Sequence, residues 1–185
     1  MQLTAQETLP VTQAQAWAAL NDIELLRQCI AGCESITPVG DNRYEVQITA
    51  AIGPVKAKFK GKLALENLQP PQSYTLRFEG SGGAAGHGKG SADIRLESTG
   101  AQVTVLHYSA QASVGGKIAQ IGSRLVDMAA QKMAGDFFAA FNAELQKRHP
   151  PAAPAPAPVP QPQGLFARLA AWWLGLFGPG GGKPR

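Results

Sequence analysis

The segment between Gly115 and Pro151 places the strongest constraint on the fold of this chain. Paired glycines, Gly115-Gly116, precede it, and paired prolines, Pro150-Pro151, end it. The intervening residues are rich in Ala, Leu, Gln, Lys and Met, which favour helices. Apolar residues recur at spacings of three and four and define one side of the predicted helix: Ile118, Ile121, Leu125, Met128, Ala129 and Met133. A helix over 116–149 is about 45 Å long, so it needs a wide apolar surface to pack against.

The apolar side of this helix rotates along its length. Towards the C-terminal end it is formed by Phe137, Phe138, Phe141 and Leu145, roughly a quarter turn away from the first stripe. Such a rotation is typical of a helix that crosses a curved sheet rather than a straight partner. Basic residues in the last turn complement the helix dipole before proline ends the helix.

Upstream, alternating apolar segments separated by turn residues predict antiparallel strands. A first strand over residues 2–9 is followed by two short helices, whose N-caps are Thr12 and Asp22. Five or six further strands then lead to the long helix. The sequence therefore predicts an α+β fold, in which a curved antiparallel sheet wraps around one long C-terminal helix and two short helices follow the first strand.

One predicted strand carries a row of lysines on a single face, at Lys56, Lys58, Lys60 and Lys62. We interpret this row as a solvated or edge-protecting face. Docking to an acidic partner is the alternative interpretation.

The glycine-rich stretch from Gly80 to Asp93 resembles a phosphate-binding loop, since residues 83–89 satisfy G-x-x-x-x-G-K. Gly90 stands where the motif has Ser or Thr, so the Mg²⁺ ligand is missing. The segment that follows is predicted to be a strand, so no helix N-terminus faces a phosphate. We therefore interpret the stretch as a hairpin or bulge in which the glycines permit close approach of backbone, ligand or partner.

Charge and apolar content exclude several classes of function. Residues 1–149 contain 14 Lys/Arg and 13 Asp/Glu, and the last 36 residues contain three basic residues and no acid. This balance argues against a nucleic-acid surface on the predicted domain. Neither a secretory signal nor an apolar run of ~20 residues is recognisable, which predicts a cytoplasmic location. Cys29 and Cys33 lack further ligands at metal spacing and are interpreted as reduced thiols.

No catalytic or cofactor motif stands out. The histidines, His87, His107 and His149, lie in a predicted loop, strand and helix end, and no G-x-S-x-G elbow is present. The acids show no spacing that nominates a catalytic pair. We therefore expect no metal, no cofactor and no catalytic residues.

The predicted sheet and helix leave room for an apolar ligand between them. Small residues on the helix, at Gly122, Ala129, Ala130 and Gly135, can leave a cavity, although close packing of helix on sheet explains them equally well. The candidate ligand-binding residues are apolar and taken from alternating strand positions and the helix stripe: Phe59, Leu63, Phe78, Val105, Ile121, Leu125, Met128 and Phe137.

The chain after the long helix has a different composition. Residues 150–163 form a Pro/Ala-rich stretch without charge, which predicts an extended linker of roughly 40 Å. Residues 164–178 are predicted to form an amphipathic helix, too short to span a bilayer but suited to its interface. Residues 179–185 form a Gly-rich basic end. The candidate membrane-binding residues share one arc of this helix: Leu165, Phe166, Leu169, Trp172, Trp173, Leu176 and Phe177. Docking onto a partner enzyme or onto the domain itself is the alternative role.

Four segments in this order resemble the G-subunit family of carbon monoxide dehydrogenase: residues 29–35, 53–61, 80–94 and 114–127. The resemblance covers residues 1 to about 145, with Ala31 where family members commonly have proline. It implies a helix-grip domain of the superfamily that includes START and polyketide-cyclase domains. It also implies an accessory role for a carbon monoxide dehydrogenase-type molybdenum hydroxylase at the cytoplasmic membrane.

These observations together predict a non-catalytic protein. We expect it to bind an apolar ligand, for which the resemblance suggests a quinone, and to recruit the dehydrogenase to the inner face of the cell membrane. The alternative function is a lipid- or polyketide-processing enzyme, since cyclases and hydrolases share the fold and the fold alone does not determine the activity.

Overall fold

A computed structural model describes residues 1–150 of the chain. These residues form one antiparallel sheet of seven strands, in the order β1-β7-β6-β5-β4-β3-β2. The strands are β1 Gln2–Leu9, β2 Cys33–Gly40, β3 Arg43–Ile52, β4 Val55–Gln69, β5 Ser73–Ser81, β6 His87–Gly100 and β7 Val103–Gly115. The helices are α1 Gln13–Leu20, α2 Ile23–Cys29, α3 Lys117–Gln120 and α4 Ser123–Arg148.

The connectivity follows from simple local signals. Strands β2 to β7 form a meander in which each strand pairs with the next, and β1 joins the free edge of β7. The strand β2 was not singled out in the sequence, because its apolar residues are sparse and Pro38 interrupts the pattern. The predicted fold class is confirmed: a curved antiparallel sheet, two short helices after the first strand and a long C-terminal helix.

The two short helices begin where the capping residues predict. The Thr12 hydroxyl accepts from the Gln15 backbone N–H, and the Gln15 side chain accepts in return from the Thr12 backbone N–H. The Asp22 carboxylate accepts from the Leu25 backbone N–H at the start of α2. Each of these bonds satisfies a donor that the first turn of a helix would otherwise leave unpaired.

The prediction of one unbroken helix over 116–149 was wrong in one respect. The backbone of Gly122 has φ +94°, so the helix divides into the single turn α3 and the long helix α4. Only glycine adopts this conformation without strain, whereas the apolar periodicity continues across the break and does not reveal it. The C-terminal end lies at Arg148, as predicted from the basic last turn and the prolines.

The hydrophobic core lies at one end of the space between sheet and helices. It joins α1, α2, the inner side of β1, β5, β6 and β7, and the C-terminal half of α4. Three of its side chains, Leu9, Phe141 and Leu145, are fully buried. Aromatic contacts extend it, since Trp17 meets Tyr74 edge-on and Tyr108 stacks on Phe138. The C-terminal half of α4 therefore holds the helix against the sheet.

The predictions for the tail lie outside the described residues. They are the extended linker, of which only Pro150 is described, the amphipathic helix over 164–178 with its candidate membrane-binding residues, and the Gly-rich end over 179–185.

Candidate functional site

The sheet face that is turned towards the helices, here called the inner face, carries three of the predicted ligand-binding residues. Leu63 of β4 lies directly opposite Phe78 of β5, and Phe59 lies two pleats further along β4. Leu76 and Leu65, next on the same face of the same strands, pack against the core. Because side chains alternate between faces, this contact places the three predicted residues on the inner face as well.

The inner face is packed at only one end. Phe59, Leu63 and Phe78 are partly exposed, although they lie on the helix side of the sheet, and none belongs to the core. In a close-packed interior such side chains would be fully buried. The half of the inner face that faces away from the core is therefore partly open to solvent. We call the region between this half and the N-terminal half of α4 the apolar space.

Small residues form the floor of this apolar space. On β6 and β7 the inner positions pair Ala92 with Ala110 and Gly90 with Ala112 across the strands. The Phe78 ring lies over Gly90, since its Cζ would be 2.7 Å from a Cβ added there. Sequence reasoning missed these residues because it searched for large apolar side chains. The signal was present as small residues at every second position of two neighbouring strands.

The helix contributes small residues on the opposite side of the space. Val126 is buried near the start of α4, and Ala130, Ala134 and Phe137, which follow it at spacings of four and three, are partly buried. Phe137 stacks on Phe141 and so marks the boundary with the core. Gly135 was predicted on this side, but it is exposed, and no atom lies within 4 Å of a Cβ added to it. Gly122, also predicted there, forms the break before α4.

Val105 lies on the outer face and not on the inner face where it was predicted. It pairs with Thr8 and Glu97, in the row that faces away from the helices. Its neighbours Thr104 and Leu106 are the buried residues. The error arose because β7 carries apolar residues on both faces here, while the polar Thr104 is buried with its hydroxyl donating to the Val11 carbonyl.

The remaining predicted residues lie around the start of the helix. Ile121 reaches the tip of the β3–β4 hairpin, where its Cδ1 would be 3.5 Å from a Cβ at Gly53. Leu125 and Met128 are 46% and 56% exposed. Met128 is displaced by ~160° around the helix from buried Val126, on the side of the exposed Lys132. Leu125 and Met128 are therefore on the outer side of α4, away from the sheet.

Few polar groups are buried near the apolar space. Burial raises the pKa of the Tyr74 hydroxyl to about 12, so this group stays neutral at physiological pH. One carboxylate oxygen of Asp127, Oδ1, is buried without a hydrogen-bond partner. Among residues 1–150 there is no group of three or more His, Cys, Asp or Glu that could hold a metal ion.

The glycine-rich stretch has a packing function. It forms the β5–β6 turn, a single 3₁₀ turn at Gly83–Ala85, and β6 starts at His87. A Cβ at Gly86 would collide with the Gly115 carbonyl, and one at Gly116 would approach the Gly86 backbone within 2.6 Å. The β5–β6 turn thus packs backbone against backbone on the turn that leads into α3. The expectation that a strand and not a helix follows this stretch is confirmed.

Two open grooves lie on the outer face of the sheet. The larger, about 940 Å³, has charged residues of both signs in its lining, which include Arg43, Glu45, Lys62, Arg77 and Glu79. The smaller, about 520 Å³, is lined mainly by polar residues of β1, β5, β6 and β7. Apolar ligands favour apolar walls with few polar groups, so the inner space suits such a ligand better than either groove.

None of the helices within residues 1–150 is both long enough and apolar enough to cross a bilayer.

Comparison with solved structures identifies relatives of the whole described domain. A conserved protein from Geobacillus kaustophilus is 31% identical with a TM-score of 0.76, over 80% of this chain and 96% of that chain. A START superfamily protein from Mycobacterium smegmatis is 10% identical (TM-score 0.62, 80% and 98% covered). The Zhui aromatase/cyclase from Streptomyces sp. R1128 is 13% identical (TM-score 0.60, 84% and 99% covered). The last two likenesses concern the fold alone.

Sequence comparison gives the family. A search of curated proteins finds no significant match. The sequence model of the CoxG family, described as the G-subunit of carbon monoxide dehydrogenase, matches residues 6–146. The match covers most of the chain. It includes every described strand and helix except the first four residues of β1 and the last two of α4. The chain therefore belongs to the CoxG family of carbon monoxide dehydrogenase.

Proposed function

We propose that this protein is a non-catalytic accessory subunit of a carbon monoxide dehydrogenase-type molybdenum hydroxylase. It binds an apolar ligand, a quinone or another isoprenoid lipid, between the sheet and α4, and it recruits the dehydrogenase to the cytoplasmic face of the cell membrane. The family membership supports the partner, because the family is described by that enzyme.

The observation that carries the ligand proposal is the partly exposed apolar half of the inner face. Small residues lie on both of its sides, with Ala92, Ala110 and Ala112 on the sheet and Ala130 and Ala134 on the helix. The partly exposed rings of Phe59 and Phe78 offer flat apolar contact at its side. A planar ring with an isoprenoid chain fits such a layer better than a charged or strongly hydrated ligand does.

Equilibrium binding of short-chain quinone analogues to the full chain tests the ligand. We expect saturable binding that Ala130→Phe weakens at least about tenfold, because the added ring occupies the space between helix and sheet. Ala139→Phe is the matched control, since Ala139 lies on the exposed side of α4. Circular dichroism confirms that both variants fold. The quinone assignment is wrong if other lipids bind saturably and quinone analogues do not.

The tail provides the proposed membrane tether. Seven large apolar residues of the 164–178 segment lie on one arc in a helical projection, and Trp172 and Trp173 suit the headgroup level. Co-sedimentation with neutral phosphatidylcholine vesicles compares the full chain with a chain that ends at His149. We expect the full chain to bind and the shorter chain to stay in solution. Equal partitioning contradicts the tether, and so does undiminished binding of the Trp172→Ser/Trp173→Ser variant.

The non-catalytic assignment has its own test. Mass spectrometry of a quinone or lipid recovered after prolonged incubation with the protein should return the molecule unchanged. A covalently altered product that requires the folded chain contradicts the assignment and favours a cyclase- or hydrolase-like activity of the same fold.

A further inference from the structure

The charges of the described domain are strongly segregated, although its net charge is small. Three stretches, residues 46–65, 80–92 and 110–126, contain no Asp or Glu. They contain seven basic residues: Lys56, Lys58, Lys60, Lys62, Lys89, Lys117 and Arg124. The other seven basic residues of the domain share the remaining sequence with all thirteen acids.

The topology brings the three acid-free stretches to one end of the molecule. The β5–β6 turn and the end of β7 are adjacent, because Ser81 pairs with His87 and His87 pairs with Gly115. Helix α3 follows β7 directly, and the β3–β4 hairpin reaches over to it, with Gly53 at its tip against Ile121. We call this region, with its seven basic residues, the basic end.

Acidic neighbours lie beside three of the seven basic residues. Lys58 donates to Glu34 at 2.6 Å, and this ion pair holds the pKa of the Glu34 carboxyl below its usual value. Glu79 lies opposite both Lys62 and Lys89, and Glu45 lies opposite Lys62 on the other side. Within residues 1–150, no carboxylate lies within ion-pair distance of Lys56, Lys117 or Arg124. These three cations remain available to an external anionic group.

The same end presents apolar side chains to solvent. Leu125 and Met128 are on the outer side of α4, about half exposed, and lie just after Arg124. Ala51 and Pro54 are exposed at the tip of the β3–β4 hairpin. Large apolar residues with this degree of exposure lose contact with water only when another surface covers them.

We infer that the basic end is a second membrane contact, by which the folded domain itself docks on an anionic lipid surface. Lys117 and Arg124, with Lys56 at the tip of the β3–β4 hairpin, face lipid phosphates, and Leu125 and Met128 enter the headgroup region beside Arg124. A patch of two large apolar side chains is too small for a stable protein interface, which buries ~800 Å² on each partner, whereas shallow insertion next to attracted cations needs no more. This inference rests on the membrane recruitment proposed above, but it is independent of the tail.

Vesicle co-sedimentation of the chain that ends at His149 tests the inference. This part contains every core residue and forms a compact unit. The conserved protein from Geobacillus kaustophilus consists almost entirely of the same region, which covers 96% of its chain. We expect the tail-free chain to bind vesicles that contain phosphatidylglycerol and not vesicles of phosphatidylcholine alone. Binding should fall about tenfold in Lys56→Glu/Arg124→Glu and severalfold in Leu125→Ser/Met128→Ser, and high salt should weaken it.

Matched variants at the opposite end of the strands serve as controls. Arg43→Glu/Arg95→Glu reverses two exposed charges, and Val39→Ser/Val103→Ser removes two exposed apolar side chains, 53% and 37% exposed in the folded domain. We expect both to bind like the unmodified chain. A tail-free chain that ignores phosphatidylglycerol overturns the inference while it leaves the tail tether intact. Equal losses in controls and test variants, or full binding of Leu125→Ser/Met128→Ser, overturn it as well.

Discussion

At the scale of single residues, Asp22 combines a helix cap with an ion pair. Its Oδ1 accepts from the Leu25 backbone N–H and caps α2, while its Oδ2 accepts from Arg148 at 2.6 Å. The guanidinium of Arg148 is the main reason why the pKa of the Asp22 carboxyl is lowered, and the cap adds to it. One side chain therefore links the start of α2 to the last turn of α4.

Replacement of Asp22 by alanine should lower the free energy of unfolding by about 1 kcal/mol, chiefly through loss of the cap. The ion pair adds little, because both side chains are more than a third exposed. Since the folded-state pKa is lowered, the contribution is complete above the unfolded pKa and disappears as the pH falls through the folded pKa. Urea titrations at pH 7 and pH 3 measure this difference. Asp41→Ala, in the β2–β3 turn, is the control that should change little.

Glycines of the β5–β6 turn allow a sharper test of packing. Gly86 has φ +126° and no room for a Cβ against the Gly115 carbonyl. Gly86→Ala should therefore cost roughly 2–4 kcal/mol in denaturant unfolding, from backbone strain and overpacking together. Gly40→Ala, where nothing lies within 4 Å of an added Cβ, should change stability by less than about 1 kcal/mol. Similar losses of stability in Gly86→Ala and Gly40→Ala would contradict the explanation by backbone strain and overpacking.

The sequence predicted the roles of single residues correctly where they interact with residues close to them in the chain. The caps at Thr12 and Asp22 and the strand after the glycine-rich stretch depended only on neighbouring residues. The prediction failed at Val105, since choosing a face of β7 requires knowing that the Val11 carbonyl accepts the buried Thr104 hydroxyl. That partner is 93 residues away in sequence, and no local pattern predicts it.

At the scale of elements, α4 is unequal along its length. Its C-terminal half supplies Phe138, Phe141 and Leu145 to the core, and Asn142 donates to the Thr8 carbonyl of β1. Its N-terminal half has Val126 buried but exposes Leu125, Met128 and Met133. Periodicity predicted the helix and its end, yet it could not rank the two halves. Which half of α4 is more buried depends on how much of the sheet lies against each half.

Alanine substitutions along α4 should reproduce this gradient. Phe141→Ala removes a fully buried ring and should cost about 3–5 kcal/mol. Leu125→Ala, on the exposed side of the first turns, should change stability by less than about 0.5 kcal/mol. Denaturant unfolding measures both. A large loss at Leu125 would place that side chain against the protein interior and so contradict its outward position.

At the scale of the whole molecule, the order of elements was enough to predict the architecture. The chain consists of a strand, two short helices, a run of strands and a long helix. Few arrangements of these elements bury all their apolar faces, and the observed seven-stranded sheet belongs to one of them. The partly exposed apolar half of the inner face was not predictable in the same way. It depends on small residues from β6, β7 and α4 meeting across the interior, and close packing would have explained the same composition.

Removal of the residues after His149 should leave the folded domain intact. All core residues lie between Leu9 and Leu145, and residues 1–150 form a compact unit. Differential scanning calorimetry of the full and shortened chains should give melting temperatures within about 2 °C. A markedly lower value for the shortened chain would show that the domain depends on its tail.

The glycine break before α4 has a consequence for the entry of the proposed ligand. A helix held firmly at one end and joined to the sheet through Gly122 at the other can detach its first turns without global unfolding. Amide hydrogens of residues 124–134 should then exchange with deuterium much faster than those of residues 138–147, and they should do so by sub-global opening. Occupancy of the apolar space should slow only the fast group. Equal exchange rates along the whole of α4 would contradict this local detachment. A ligand would then have to enter while the first turns of the helix stay packed.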